Sequence, residues 1–99
     1  MNIMIAARHF DLTEPLKSRI EQRLASLEKF SADLMEAHVV IEMEERRCKA
    51  ELTLHTRTSD FFASAKSYDT YLAVDNVIRK LKKQLKAHQE RLKERKQKA

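Results

Sequence analysis

The chain has 99 residues, 42% of them apolar, which suits one domain with a hydrophobic core but leaves little surface for a deep substrate cleft. It contains no glycine and one proline, so phosphate-cradling loops, nucleotide-binding fingerprints and tight primed hairpin turns are not expected. A single cysteine excludes an intramolecular disulfide, and without a signal peptide or a long apolar run we expect a cytoplasmic protein with no membrane partner.

The first two elements follow from a change in hydrophobic period. Residues 2–8 alternate weakly, with Ile3, Ile5 and Ala7 on one side, which predicts a short strand. Thr13 is then placed to cap an amphipathic helix that ends near residues 30–31. The apolar positions of this helix recur at spacings of four, four and three: Leu16, Ile20, Leu24 and Leu27.

Three alternating segments then predict an antiparallel meander with short polar connections. Residues 35–44 form the first segment, residues 50–56 the second and residues 61–66 the third. Each segment has one face that is mainly apolar and one that is mainly polar, so the strands are half-buried. The apolar faces hold Met35, Ala37, Val39, Ile41 and Met43, then Ala50, Leu52 and Leu54, then Phe61, Ala63 and Ala65.

A last amphipathic helix begins near Asp69. Its apolar positions fall within about 100° of arc, and they are Val74, Val77, Ile78, Leu81, Leu85, His88 and Leu92. Five bases with no intervening acid lie on the opposite side and its flank, and we call them the basic stripe: Arg79, Lys80, Lys82, Lys83 and Lys86. Packing is predicted to stop near Leu92, and residues 93–99 are predicted to fray as a basic tail.

The resulting order, βαβββα, predicts an α+β fold. A crossover helix makes the first two strands parallel, and the meander completes a four-stranded mixed sheet. Both helices must cover the apolar face of the sheet, so the other face stays exposed to solvent. We therefore expect a single domain over residues 1–92.

The charge is divided unevenly along the chain. Residues 1–78 hold ten bases against thirteen acids, a net −3, whereas residues 79–99 hold ten bases against two acids, a net +8. A basic helix on a nearly neutral body is typical of proteins that bind nucleic acid or an anionic membrane. A solvated helix face is the simpler alternative, but five bases without an acid repel one another, which favours neutralisation by a polyanion.

Several kinds of partner remain for the basic stripe. Membrane insertion would need the apolar side of the helix, which the sheet requires. Sequence-specific reading of DNA usually needs several Asn, Gln and Arg side chains, whereas the stripe is rich in lysine. Structured RNA, which is recognised by shape, fits best. Arg8, Arg19, Arg23 and Lys29 are further candidate contacts on the helical side, although each alone is more typical of an ordinary surface residue.

No pattern predicts catalysis or a cofactor. Cys48 lies beside three bases that would lower the pKa of its thiol, but no histidine base is placed near it, so we expect no catalytic role. His38 and His55 share a sheet face without a third metal ligand in register. We predict a binding protein with no metal, no cofactor and no small-molecule substrate.

Five segments resemble those of the ribosome hibernation-promoting factors, also called ribosome-associated inhibitors or sigma-54 modulation proteins. They occur in the family's order and spacing, within the βαβββα frame, and span nearly the whole chain. The segments are Asp11-Leu12-Thr13, Leu27-Glu28-Lys29-Phe30, Ala50-Glu51-Leu52-Thr53-Leu54-His55, Asp69-Thr70-Tyr71-Leu72-Ala73-Val74-Asp75 and Lys80-Leu81-Lys82-Lys83-Gln84-Leu85.

The resemblance implies binding to ribosomal RNA of the small subunit, in the channel for messenger and transfer RNA, and hence a block of translation. The positions that match the family's RNA contacts are Arg8, Arg23, Lys29, Lys80, Lys83 and Lys86, and the helical wheel adds Arg79 and Lys82. Where relatives often carry another base, this chain has Ala87.

The resemblance is closest to the short hibernation-promoting factors. It implies a role in the stress response and stationary phase, and support for inactive ribosome dimers together with a separate ribosome modulation factor. We expect the free protein to be monomeric. Two other functions stay open: a general module for structured RNA or other nucleic acids, and a transcription regulator that binds another protein.

Overall fold

The computed structural model describes the backbone of residues 1–98 and the side chains of residues 1–92. The predicted order βαβββα is confirmed. The elements are β1 (Asn2–Arg8), α1 (Glu14–Ala25) with a following 3-10 turn (Ser26–Lys29), β2 (Leu34–Glu44), β3 (Arg47–Thr56), β4 (Asp60–Ser67) and α2 (Thr70–Lys98).

The four strands form one mixed sheet in the order β1-β2-β3-β4. β1 is parallel to β2, with Ile3 opposite Ala37 and Ile5 opposite Val39. β2 and β3 are antiparallel, and so are β3 and β4. The predicted α+β fold, with a parallel pair extended by a meander, is therefore confirmed.

Side-chain caps set the start of each helix, as the sequence predicts. The Thr13 hydroxyl accepts a hydrogen bond from the Leu16 N–H at 3.3 Å, which satisfies one of the N–H groups left unpaired at the start of α1. At the start of α2, the Asp69 carboxylate accepts a hydrogen bond from the Tyr71 N–H at 2.8 Å. Both helices therefore begin within one residue of the predicted positions.

The core lies between one face of the sheet and the two helices. The helical contribution comes from the apolar positions of α1 and from one side of α2, and the sheet contributes alternate residues of β2, β3 and β4. The principal buried side chains are Leu16, Ile20, Leu24 and Leu27, then Val39, Ile41, Leu52 and Leu54, then Val74, Val77, Leu81 and Leu85.

Packing of α2 ends about one turn before the predicted limit. Among the residues whose side chains are described, Leu85 is the last buried residue of α2, and the His88 ring packs edge-on against the Phe61 ring at 5.4 Å. Leu92, which the pattern places on the packed side, is 43% exposed. The backbone of α2 is helical to Lys98, whereas the side chains of residues 93–99 lie outside the described part of the chain, and the predicted fraying of this basic tail stays a prediction.

The β2–β3 hairpin contains a tight turn that the absence of glycine had led us not to expect. Glu44 pairs with Arg47, so Glu45 and Arg46 form a two-residue turn although the chain has no glycine. Glu45 adopts φ 50°, the left-handed region that such turns need and that glycine, asparagine and aspartate enter most easily. The sequence-based exclusion of such a tight turn was wrong, because Glu45 adopts the left-handed conformation although it is not a glycine.

The start of β2 differs from the predicted alternation. The pairing register with β3 shifts between Leu34 and Glu36, so Met35 does not share the face of Ala37. Met35 is 55% exposed, whereas Leu34 packs partly against the core. The prediction that Met35 faces the core was wrong, because an irregular pairing changes the side on which a residue lies.

The strained turn gives a direct test of stability. We expect Glu45→Asn to raise the free energy of unfolding by up to about 1 kcal/mol, because asparagine tolerates the left-handed region better than glutamate. Urea denaturation of both proteins measures the change. Glu45→Ala, which keeps a Cβ and removes the charge, is the control and should give no gain; an equal gain from alanine would contradict the role of backbone strain.

Candidate RNA-binding surface

The basic stripe lies on the solvent side of α2 because the opposite side of the helix packs on the sheet. All five of its side chains are exposed. Within the part of the chain whose side chains are described, none of them forms an ion pair with a carboxylate. The stripe is therefore a row of charges available to an anion.

Lys80 also contacts the edge of the sheet. Its Nζ donates a hydrogen bond to the Ser64 carbonyl at 2.7 Å, and one turn later the Gln84 amide donates to the Phe62 carbonyl at 2.9 Å. β4 pairs on one side only, so these carbonyls belong to an edge strand. The Lys80 ammonium is thus fixed at the β4 side of the stripe.

Two lysines of the stripe lie over one aromatic ring. The Lys82 and Lys86 Nζ atoms are 5.2 Å and 5.3 Å from the centre of the Phe30 ring. Distances within about 6 Å allow a cation–π attraction. Because Phe30 ends the 3-10 turn after α1, this contact brings the exposed Lys29 close to the stripe in the fold.

The α1 arginines meet an acid of α2. Arg19 binds the Asp75 carboxylate with two nitrogens, Nη2 to Oδ2 at 2.9 Å and Nε to Oδ1 at 3.4 Å. Arg23 Nε lies 3.3 Å from Asp75 Oδ1. The Arg19 hydrogen bond, opposed by partial burial, lowers the pKa of Asp75 from its ordinary value of 3.8, with further lowering from the charges of both arginines.

Two open grooves flank α2. One, of about 190 Å³, lies between the helices and is lined by Arg23, Ser26, Asp75, Ile78, Arg79 and Lys82. The other, of about 250 Å³, lies toward β4 and is lined by Ala65, Lys66, Asn76, Arg79, Lys80 and Lys83. The structure therefore brings Arg23 into one surface with the stripe, and Arg79 lines both grooves.

Arg8 lies apart from this surface. It ends β1 in the exposed set of alternating residues, whereas Ile3, Ile5 and Ala7 are the partly buried set. In the strand register it stands opposite Glu42. The backbone thus places Arg8 at the end of the sheet face that the helices leave open, and its predicted RNA contact would have to form from there.

The ion pairs of Arg19 and Arg23 with Asp75 are the part of the surface that pattern reasoning missed. Arg19 and Arg23 are four residues apart on α1, a spacing that puts them on one helix face and was a usable signal. Asp75, however, is 56 residues from Arg19 in sequence. Only the packing of α1 beside α2 brings the three together.

The expectation that neighbouring bases lower the pKa of the Cys48 thiol was wrong. Its side chain is fully buried under the start of α2, and burial raises the pKa of the thiol from its ordinary value. The neighbouring bases do not reach it, because Cys48 shares the inward side of β3 with Ala50 and Leu52. A buried thiol with a raised pKa is a packing residue.

The open sheet face carries mixed and internally paired charges. Lys49 pairs with Glu51 at 2.9 Å, and His55 Nδ1 lies 2.8 Å from Asp60 Oδ1. The His38 and His55 rings meet edge-on at 6.0 Å, yet the described residues contain no group of three side chains suited to hold a metal ion. In the same part of the chain, no helix is long and apolar enough to cross a membrane.

Comparisons with known proteins identify relatives of the chain by sequence. Residues 3–93 match the model of the family described as Sigma 54 modulation protein / S30EA ribosomal protein. The chain is 31% identical over 94 residues to the ribosome hibernation promoting factor of Escherichia coli K12, covering 95% of this chain and 99% of that one. It is also 31% identical over 97 residues to the factor of the same name from Azotobacter vinelandii, covering 98% and 91%.

Two solved structures share the fold. A ribosomal subunit interface protein from Coxiella burnetii superposes with a TM-score of 0.86 at 21% identity, covering 91% of this chain and 99% of that one. The N-terminal domain of Protein Y from Thermus thermophilus gives a TM-score of 0.81 at 22% identity, covering 89% and 99%. Four strands and two helices in this arrangement are therefore shared with both proteins.

The ion pairs of Asp75 predict a pH dependence of stability. Because the folded-state pKa of Asp75 lies below its ordinary value of 3.8, its stabilising effect is complete above that value and is lost as the pH falls through the lower, folded-state pKa. We expect Asp75→Asn to be about 1 kcal/mol less stable than wild type at neutral pH, and this difference to shrink below about pH 4. Thermal unfolding of both proteins from pH 7 to pH 2 measures it, and a difference that stays constant would contradict the ion-pair origin.

Proposed function

The chain belongs to the Sigma 54 modulation protein / S30EA ribosomal protein family, and on that basis we propose that it is a ribosome hibernation factor that binds ribosomal RNA and blocks translation. It acts as a binding protein in the cytoplasm, with no reaction of its own. The relatives named ribosome hibernation promoting factor support the hibernation role.

The observation that supports this function most directly is the exposed basic stripe. Its five cations lie on one helix, and the Cβ atoms of neighbours on one face are about 5–6 Å apart. The stripe offers charge and few groups for reading bases, so it suits a partner recognised by the positions of its phosphates. Folded ribosomal RNA is such a partner.

The proposed binding place is the channel of the small ribosomal subunit through which messenger and transfer RNA pass. A pre-formed cationic surface seated there would exclude both by occupying their space. The contacts we propose are Arg8, Arg23, Lys29, Arg79, Lys80, Lys82, Lys83 and Lys86. We further propose that the free protein is a monomer and that it supports inactive ribosome dimers together with a separate modulation factor.

Reversal of two stripe charges tests the surface. Lys83→Glu/Lys86→Glu should abolish co-sedimentation with small subunits while the fold stays intact, because both side chains are exposed. The matched control is Arg46→Glu/Arg57→Glu, which changes the net charge equally at exposed turns of the sheet. Binding that survives in the stripe variant, or is lost equally in the control, would count against the proposed surface.

The salt dependence of binding tests the electrostatic mechanism. If about six phosphates are neutralised, the logarithm of the association constant should fall against the logarithm of salt concentration with a slope of roughly −4 to −5. Affinity for isolated small subunits, measured from 50 to 300 mM potassium chloride, gives the slope. A slope near zero would indicate an apolar, protein-type contact.

The two other functions predict different results in a competition assay. A general nucleic-acid module would bind naked duplex RNA as tightly as it binds small subunits, whereas the proposed factor should prefer the subunit. A regulator that binds another protein would not be displaced by either. A sucrose gradient of stationary-phase lysate, probed for this protein, then shows whether it travels with small subunits or paired ribosomes.

A further inference from the structure

One acid lies inside the proposed RNA-binding surface. Asp75 is half-buried between α1 and α2, and its two carboxylate oxygens hold Arg19 and Arg23. A surface built only to attract a polyanion would gain from losing this negative charge. Besides stabilising the packing of α1 beside α2, Asp75 therefore acts directly on two cations of the surface.

The geometry shows what the carboxylate does to the two arginines. Arg19 donates hydrogen bonds from Nε and Nη2 to Asp75, and Arg23 forms an ion pair with it in which Nε lies 3.3 Å from Oδ1. A guanidinium has five N–H donors in a planar fork, so the terminal nitrogens of Arg23 keep their donors for another acceptor. The ion pair with Asp75 restricts a half-exposed side chain that would otherwise sample many rotamers.

The fixed arginine lies beside the inter-helix groove. The groove of about 190 Å³ is lined by Arg23, Arg79 and Lys82, with Asp75 among its walls. Three cations against one carboxylate leave a net positive charge there. The groove thus combines a positioned guanidinium with two further cations on a neighbouring helix, which suits one tetrahedral anion.

We propose that Asp75 is a positioning residue that holds Arg23, with Arg19 behind it, as a pre-formed guanidinium for a single phosphodiester of folded RNA, which Arg79 and Lys82 also contact in the inter-helix groove. This inference rests on the proposed function, since it assigns one phosphate position within the same surface. The gain comes from ordering the side chain before binding.

Removing the Asp75 carboxylate distinguishes positioning of Arg23 from simple electrostatic attraction, because the two predict opposite changes in affinity for small subunits. Asp75→Asn raises the net charge by one, so attraction alone would tighten binding. Positioning instead predicts that affinity for small subunits falls by roughly three- to tenfold, the effect of freeing one or two long side chains. The salt slope should also become shallower by about 0.7–0.9, which corresponds to one phosphate contact.

The controls use the same charge change elsewhere. Glu21 is exposed on α1 and forms no ion pair in the described part of the chain, so Glu21→Gln should leave small-subunit binding unchanged or slightly tighter. Heparin, a polyanion without the folded RNA geometry, should bind Asp75→Asn at least as tightly as wild type. Binding is measured well below the melting temperature of each variant.

A second variant keeps the test decisive if Asp75→Asn folds poorly. Arg23→Lys preserves the net charge and removes the fork, so positioning predicts a similar three- to tenfold loss of affinity, and attraction alone predicts none. In an Arg19→Gln/Arg23→Gln background, Asp75→Asn should no longer weaken binding, because its partners are absent.

Each outcome decides between the inference and the proposed function. If wild type binds small subunits and Asp75→Asn binds as tightly or more tightly, the positioning inference is wrong and the proposed function stands. If wild type does not bind small subunits, both are wrong. Weaker binding by Asp75→Asn and by Arg23→Lys, with heparin binding retained, supports the inference.

Discussion

The direction of the basic stripe depends on the packing of α2 against the sheet. Val77, Leu81 and Leu85 are fully buried, and burying a side chain of this kind stabilises the fold by about 1.5–3 kcal/mol. Successive helical residues are about 100° apart, so fixing these positions also fixes the direction of the residues between them. The helix cannot rotate to turn its cations in another direction without exposing the core, so hydrophobic packing keeps all five on the solvent side despite their mutual repulsion.

The cations of the stripe are not equivalent in the folded chain. Lys80 donates to the Ser64 carbonyl at the edge of β4, and Gln84 covers the Phe62 carbonyl of the same edge. Covering an edge strand in this way hinders the addition of a strand from another molecule. The Lys80 ammonium has three N–H donors, so it can keep this hydrogen bond and still donate to a phosphate, whereas Lys83 makes no such contact among the described residues and is less restricted.

Hydrophobic period was enough to predict the fold, because the alternation of Val39 and Ile41, or of Leu52 and Leu54, matches their burial under the helices. The same alternation also places Cys48 inside, a signal that its charged neighbours obscured. Local pattern failed where geometry is irregular, at the shifted register beside Met35 and at the strained Glu45 turn.

The candidate surface was predictable along one helix and not between helices. The direction of the stripe follows from the period of α2, which the sequence contains. The Asp75 ion pairs and the ring of Phe30 under two lysines depend on how α1 lies beside α2, and no spacing within either helix encodes that contact. Pairings between distant segments become visible only when the packed structure is known.

The open sheet face pairs most of its charges, whereas the basic stripe, among the described residues, does not, and this difference determines which side of the protein approaches a polyanion. On the open sheet face, pairs such as Lys49–Glu51 and Lys66–Glu44 lie within 3.4 Å, so their fields cancel over short distances. Along the basic stripe the charges share one sign, and the Cβ atoms of neighbours on one helix face are about 5–6 Å apart, within the screening length of about 8 Å at physiological salt, so their fields add. The net charge of +5 therefore understates the attraction of the helical side for a polyanion. Electrostatic steering orients this side toward an anionic surface before any contact forms.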